Sequence, residues 1–164
     1  MIYIANITTL KDRYKTNLKK TVIRVTSGLV FKVEFFFPPG SAGLMGVAVF
    51  DGLYQVWPST VGEFFIGEDQ LITFDDMYLK ESAPFEFQCY TYNEDDTNPH
   101  FVSVRIGLVS AEVFLARFMP SRQRIDFDRI RVEMLKAKSE RAAQQLQKMP
   151  QTPFKWMLND GRTR

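Results

Sequence analysis

A single histidine, His100, and a single cysteine, Cys89, bound the side-chain chemistry open to this chain. Nucleophilic catalysis by serine or cysteine needs a base beside the nucleophile. Only His100 could supply it, and no Gly-x-Ser-x-Gly elbow is present. His100 follows Asn98-Pro99 at the head of a strand-like run, so it reads as a strand-start residue. Cys89 falls on the apolar side of its segment and reads as a buried, inert thiol. One Cys and one His fall short of the four ligands of a usual zinc site.

Oxygen ligands are more plentiful. The turn Asn93-Glu94-Asp95-Asp96-Thr97-Asn98 offers carboxylates and amides of the kind calcium takes, without the spacing of an EF-hand loop. Asn and Asp also favour turns by bonding their own backbone, which makes a solvated turn the simpler reading. Glu68-Asp69 and Asp75-Asp76 are paired acids, but nothing in their spacing sets two of them across a cleft as a glycoside hydrolase requires. Gly40, Gly43, Gly46 and Gly52 suggest a phosphate loop, yet a strand follows them where a helix would be needed. They read as loop and bulge glycines. No catalytic residue, cofactor or metal is assigned, and the expectation is a protein that is not an enzyme.

The elements that carry these residues follow from charge and periodicity. Residues 1–34 hold seven Lys/Arg against two acids, residues 35–116 hold twelve acids against Lys80 and Arg105, and residues 117–164 hold twelve bases against five acids. An acidic body is thus flanked by basic segments. Leu29, Phe31, Val33, Phe35 and Phe37 alternate with Lys32 and Glu34, as a half-buried strand requires. Leu44–Phe50 and Leu53–Trp57 around Asp51-Gly52 predict a hairpin. Gln70–Phe74, Phe85–Tyr92 and Phe101–Val109 add strands, the last with Val102, Val104, Ile106 and Leu108 inward. Seven or eight short strands at near-regular spacing predict an antiparallel sandwich or jelly roll. Phe36, Tyr54, Trp57, Tyr90 and Tyr92 are expected off its core face, as a binding surface or under a covering helix.

From about Asp126 to Lys148 the chain lacks Gly and Pro and is rich in helix formers, and Pro150 closes the segment. Its apolar stripe is narrow and drifts, which suits one-sided packing on a body or a partner. Its bases, including Arg131, Lys138 and Arg141, are diluted by acids, which disfavours nucleic acid. The last segment places Phe154, Trp156, Met157, Leu158, Arg162 and Arg164 in a proline-flanked tail. Such residues commonly bind a partner, and they are the expected partner-binding set. No apolar run approaches the roughly 20 residues needed to span a bilayer, so no membrane span is expected.

The segments FFFPPGSAGLMGVAVFDGLYQVWP (35–58) and YNEDDTNPHFVSVRIGL (92–108) resemble small β-sandwich structural proteins of bacterial viruses in texture, over about residues 29–109. The resemblance implies a capsid, cement or decoration, vertex or tail component of a virion assembled in the host cytoplasm. The expected fold is mainly β, an antiparallel, jelly-roll-like sandwich with a C-terminal helix and extended tail. The expected order is a basic arm (1–19), a sandwich body (20–119), a helix (120–149) and an aromatic and basic tail (150–164). The expected partners are further copies in a homo-oligomer and other virion proteins. A carbohydrate-binding module using exposed aromatics is the alternative.

Overall fold

The computed structural model describes residues 1–110, 112–114 and 124–148. Its described strands form two antiparallel sheets packed face to face. The first holds β1 (Ile2–Thr9), β3 (Gly28–Phe37), β7 (Gln70–Phe74), β8 (Tyr78–Lys80) and β10 (His100–Val109), in the order β1-β10-β3-β7. β8 continues along the same edge of β3, so β7 and β8 act as one interrupted edge strand. The second sheet holds β2 (Lys19–Arg24), β4 (Met45–Asp51), β5 (Tyr54–Trp57), β6 (Phe65–Ile66) and β9 (Glu86–Asn93), in the order β2-β9-β4-β5 with β6 also on β4.

The pairings are nested: β1 with β10, β2 with β9, β3 with β7 and β8, and β4 with β5. They describe one long antiparallel ribbon wound so that successive turns fall in opposite sheets. That is jelly-roll connectivity. Val102, Val104, Ile106 and Leu108 all face inward, fully buried against Val33, Phe35, Phe37, Val47, Val49, Phe87 and Cys89.

Three departures from simple alternation have local causes. In β3 the register with β10 steps from Lys32, opposite Gly107, to Val30, opposite Leu108, and so passes over Phe31. This β-bulge reverses the phase of the strand. Val30, Val33, Phe35 and Phe37 enter the main core, whereas Leu29 and Phe31 join a satellite cluster with Leu79, Val109 and Phe114. In β5 a second shift leaves Val56 unpaired and sets Trp57 opposite Val49, which buries the indole in the core, 3% exposed. Third, residues 1–19, expected as an arm, contain β1, whose Ile7 is 1% exposed in the core. Its pairing with β10 from Gly107 to His100 makes it an edge of the body.

Tyr90 and Tyr92 do lie off the core face, and they are buried there against loop residues. Tyr90 sits with Ala48 and Phe50 under Leu18, Val61 and Phe64, and the Phe64 ring meets Tyr92 edge-on at 5.1 Å. The C-terminal helix, α1 (Arg124–Lys148), falls within the span expected for it. Among the described residues no helix is long and apolar enough to cross a membrane.

Candidate functional site at the helix seam

The structure gathers polar chemistry where α1 crosses the open edge of the sandwich, between β8 at the end of one sheet and β5 at the end of the other. The hairpin before β5 sets the geometry. Its two-residue loop is Gly52-Leu53, one residue later than Asp51-Gly52, since Asp51 still pairs with Tyr54. Of the two loop residues only Gly52 takes positive φ (63°), the pattern of a type II′ turn. The one-residue shift puts Asp51 inside a strand, where it faces β8.

Asp51 there accepts hydrogen bonds from Lys80 Nζ, from Tyr78 Oη at 2.7 Å and from Lys138 Nζ of α1 at 3.2 Å. Lys80 is 1% exposed, and a buried ammonium is tolerated only when paired. Burial works to raise the Asp51 carboxyl, but the bonds from Lys80 and Tyr78 and the nearby Lys138 charge outweigh it and hold it below the usual carboxylate value. The Tyr78 phenol is pushed far up, by burial first and then by Asp51. Lys138 also lies 4.5 Å from the centre of the Tyr78 ring and donates to Leu79 O at 3.3 Å. Beside this cluster Trp57 Nε1 donates to Asp76 at 2.6 Å.

Two further links extend the seam. Arg131 Nε lies 2.6 Å from Glu81 Oε1 at one end. At the other, Gln145 Nε2 donates to Gln55 O at 2.9 Å. The Gln55 side chain, 1% exposed, is fully used: its amide donates to the carbonyls of Pro58, Thr60 and Glu63 and accepts from Gly62 N. It thereby fixes the loop after β5, which with Tyr54, Arg141 and Gln145 walls a groove of about 660 Å³ beside α1. A carboxylate engaged by two ammonium groups and a phenol is a clamp. Its chemistry is binding: it fastens a basic helix to an acidic edge.

The other candidates resolve into structural roles. His100 Nε2 lies 2.7 Å from Asp95 Oδ2, and no serine, threonine or cysteine is hydrogen-bonded to that histidine among the described residues. Asp95 is held down at about 2 by the backbone N–H groups of Asn98 and Thr97, then by His100. The acidic turn thus spends its oxygens on its own backbone, and buried Asn93 ties it to Thr9 O and Asn98 O. Among the described residues no three His, Cys, Asp or Glu side chains converge as a metal site. Cys89 is fully buried, and burial pushes its thiol up to about 12. The loop at Gly40 is a backbone nest of the anion-binding kind, but Glu68 fills it, accepting from Gly40 N, Ser41 Oγ and Ala42 N.

Phe154, Trp156, Met157, Leu158, Arg162 and Arg164 lie outside the described residues. The residues that sequence reasoning missed are Asp51, read as a turn residue, and Tyr78 with Lys80, which no predicted strand included. One signal pointed to them: Lys80 is one of two bases in the acidic stretch 35–116. No protein-family model matches this chain, and no curated protein matches it.

Proposed function

We propose that this chain is a non-enzymatic structural subunit of a viral particle, a capsid, cement or decoration, vertex or tail component. In this reading it assembles with copies of itself and with other particle proteins through its β body and its C-terminal helix and tail. The observation that carries the reading is a jelly-roll ribbon with a basic helix clamped across its acidic edge. Jelly rolls serve viral capsids and lectins alike. Fold alone therefore decides nothing between them, and the clamp is what favours assembly. Charge of opposite sign on body and helix guides encounter and register between copies.

The second reading is a carbohydrate-binding module. The aromatic platform it relied on is largely inside the protein, with Trp57, Tyr90 and Tyr92 all buried. The groove at Tyr54, Ser59, Thr60 and Arg141 is the surface left to it.

Light scattering on the full chain and on residues 1–149, at low and high salt, separates the two. Assembly predicts an oligomer of the full chain that dissociates on truncation and weakens with salt, because exposed pairs are screened beyond about 8 Å at physiological ionic strength. Monomers throughout, with glycan binding that survives truncation and is lost in Tyr54→Ala, would establish the second reading instead.

A further inference from the structure

We propose that β1 is the surface on which two copies of this chain join, its open edge pairing antiparallel with the open edge of β1 in a second copy. This rests on the assembly reading and names a contact that assembly uses. The ladder on the closed side shows which backbone groups are open. Met1 and Leu108 exchange both bonds, Met1 N donating to Leu108 O at 2.6 Å and Leu108 N to Met1 O at 2.8 Å. Bonded pairs alternate along an antiparallel ladder, and β1 runs along β10 from Ile2 to Thr9 without a register shift. Tyr3, Ala5, Ile7 and Thr9 therefore bond β10, whereas Ile2, Ile4, Asn6 and Thr8 turn their N–H and C=O groups away from it. Lys19 Nζ takes the Thr8 carbonyl at 2.6 Å, in keeping with that direction. Among the described residues nothing is hydrogen-bonded to the outward groups of Ile2, Ile4 and Asn6.

The other strands that end a sheet carry the features that discourage pairing: charge, short length, bulges or a covering element. β2 bears Lys19, Lys20 and Arg24. β5 is four residues long and bulged against β4, and the edge of β7 and β8 is broken in two, with Lys138 of α1 bonded to Leu79 O of β8. β1 has none of these. It is eight residues long, uncharged, free of Pro and Gly and unbulged, and its Ile2 and Ile4 are 68% and 58% exposed. Open amides and carbonyls beside exposed isoleucine are satisfied by an extended strand. The strand that fits is β1 itself. Its free stretch, Ile2 to Asn6, is centred on Ile4 and ends where Lys19 takes the Thr8 carbonyl. A two-fold axis at Ile4 sets Ile4 opposite Ile4 of the second copy and Ile2 opposite its Asn6, every pair being of the bonded kind. The two Ile4 side chains then bury each other, and no like charges meet. The same axis on β2 would set its lysines and Arg24 in one like-charged strip.

The test is light scattering on the full chain and on full-length variants at Ile4. Backbone bonds and isoleucine contacts resist salt, so high salt should reduce the wild-type oligomer to this dimer and no further. Ile4→Pro should be monomeric under the same conditions. The Ile4 amide faces away from β10, so proline there costs the sandwich no ladder bond, and circular dichroism should show the fold intact. Ile4→Lys and Ile4→Glu keep the amide and test the same contact should proline disturb the fold. At low salt each alone should have a lower mass than wild type, and their equimolar mixture should regain it, because the two side chains face each other across the axis. Failure of the mixture to recover mass overturns the two-fold at Ile4. A wild-type oligomer whose mass none of these substitutions changes overturns edge pairing and leaves the assembly reading standing. A wild-type chain that is monomeric at every salt overturns edge pairing and self-assembly together, and leaves the edge to a strand of another protein.

Discussion

Asp51 and Asp95 are both carboxylates held below their ordinary value, but they carry different loads. Asp95 serves its own turn, whose carbonyl also receives Asp12 N from the connection after β1. A depressed folded-state value means that the stability it brings is full above about pH 4 and is lost as pH falls toward about 2. Acid unfolding followed by circular dichroism should therefore show Asp95→Asn less stable near neutral pH, with a flatter pH dependence between about pH 4 and 2. Asp51 neutralises a buried cation, so Asp51→Asn leaves Lys80 uncompensated and should cost about 3–5 kcal/mol in denaturant unfolding. The double variant Asp51→Asn with Lys80→Met should recover much of that loss, because the penalty belongs to the unpaired charge and not to the missing contact. Equal losses in the single and double variants would show that shape, and not charge, holds the site.

At the scale of elements, two bulges and one turn decide where side chains point. Period-2 alternation in the sequence located β3, β9 and β10, because one face of each strand must meet a dry core. It could not locate the bulge at Phe31, since an inserted residue reverses the phase without changing composition. Gly28 marks the start of that strand, and a Cβ there would fall 2.5 Å from Val109 O, a backbone atom that cannot swing away. Gly28→Ala should destabilise by about 1–3 kcal/mol, in keeping with overpacking, as read from the denaturant midpoint. Gly52→Ala meets no atom within 4 Å but takes φ at +63°, so its cost is backbone strain of about 1 kcal/mol. The β8 strand escaped sequence reading because Tyr78–Lys80 is three residues long, too short to show a period.

For the whole molecule, the helix closes an edge. Strands β5 and β8 end their sheets, and unpaired strand edges invite association with other chains. A chain ending at residue 114 should keep the cooperative unfolding of the sandwich, because among the described residues the main cluster between the sheets contains none from α1. Loss of the cooperative transition in that truncation would make α1 part of the folding unit.

Composition and alternation by themselves determined that this chain builds an antiparallel sandwich followed by a helix, because burying one face of each short strand leaves few other arrangements. They also determined that an acidic body sits between basic ends, since charge is a property of residues and not of their arrangement. Only the tertiary structure decided which strands pair, because nested pairing joins residues a hundred positions apart, such as Ile2 with Gly107. It alone decided the helix seam as well. Asp51, Tyr78, Lys80 and Lys138 come from a hairpin, an interrupted edge strand and a helix, and carry no shared spacing. Their meeting follows from the one-residue shift of a turn and the line of a helix across an edge, neither of which leaves a period in the sequence.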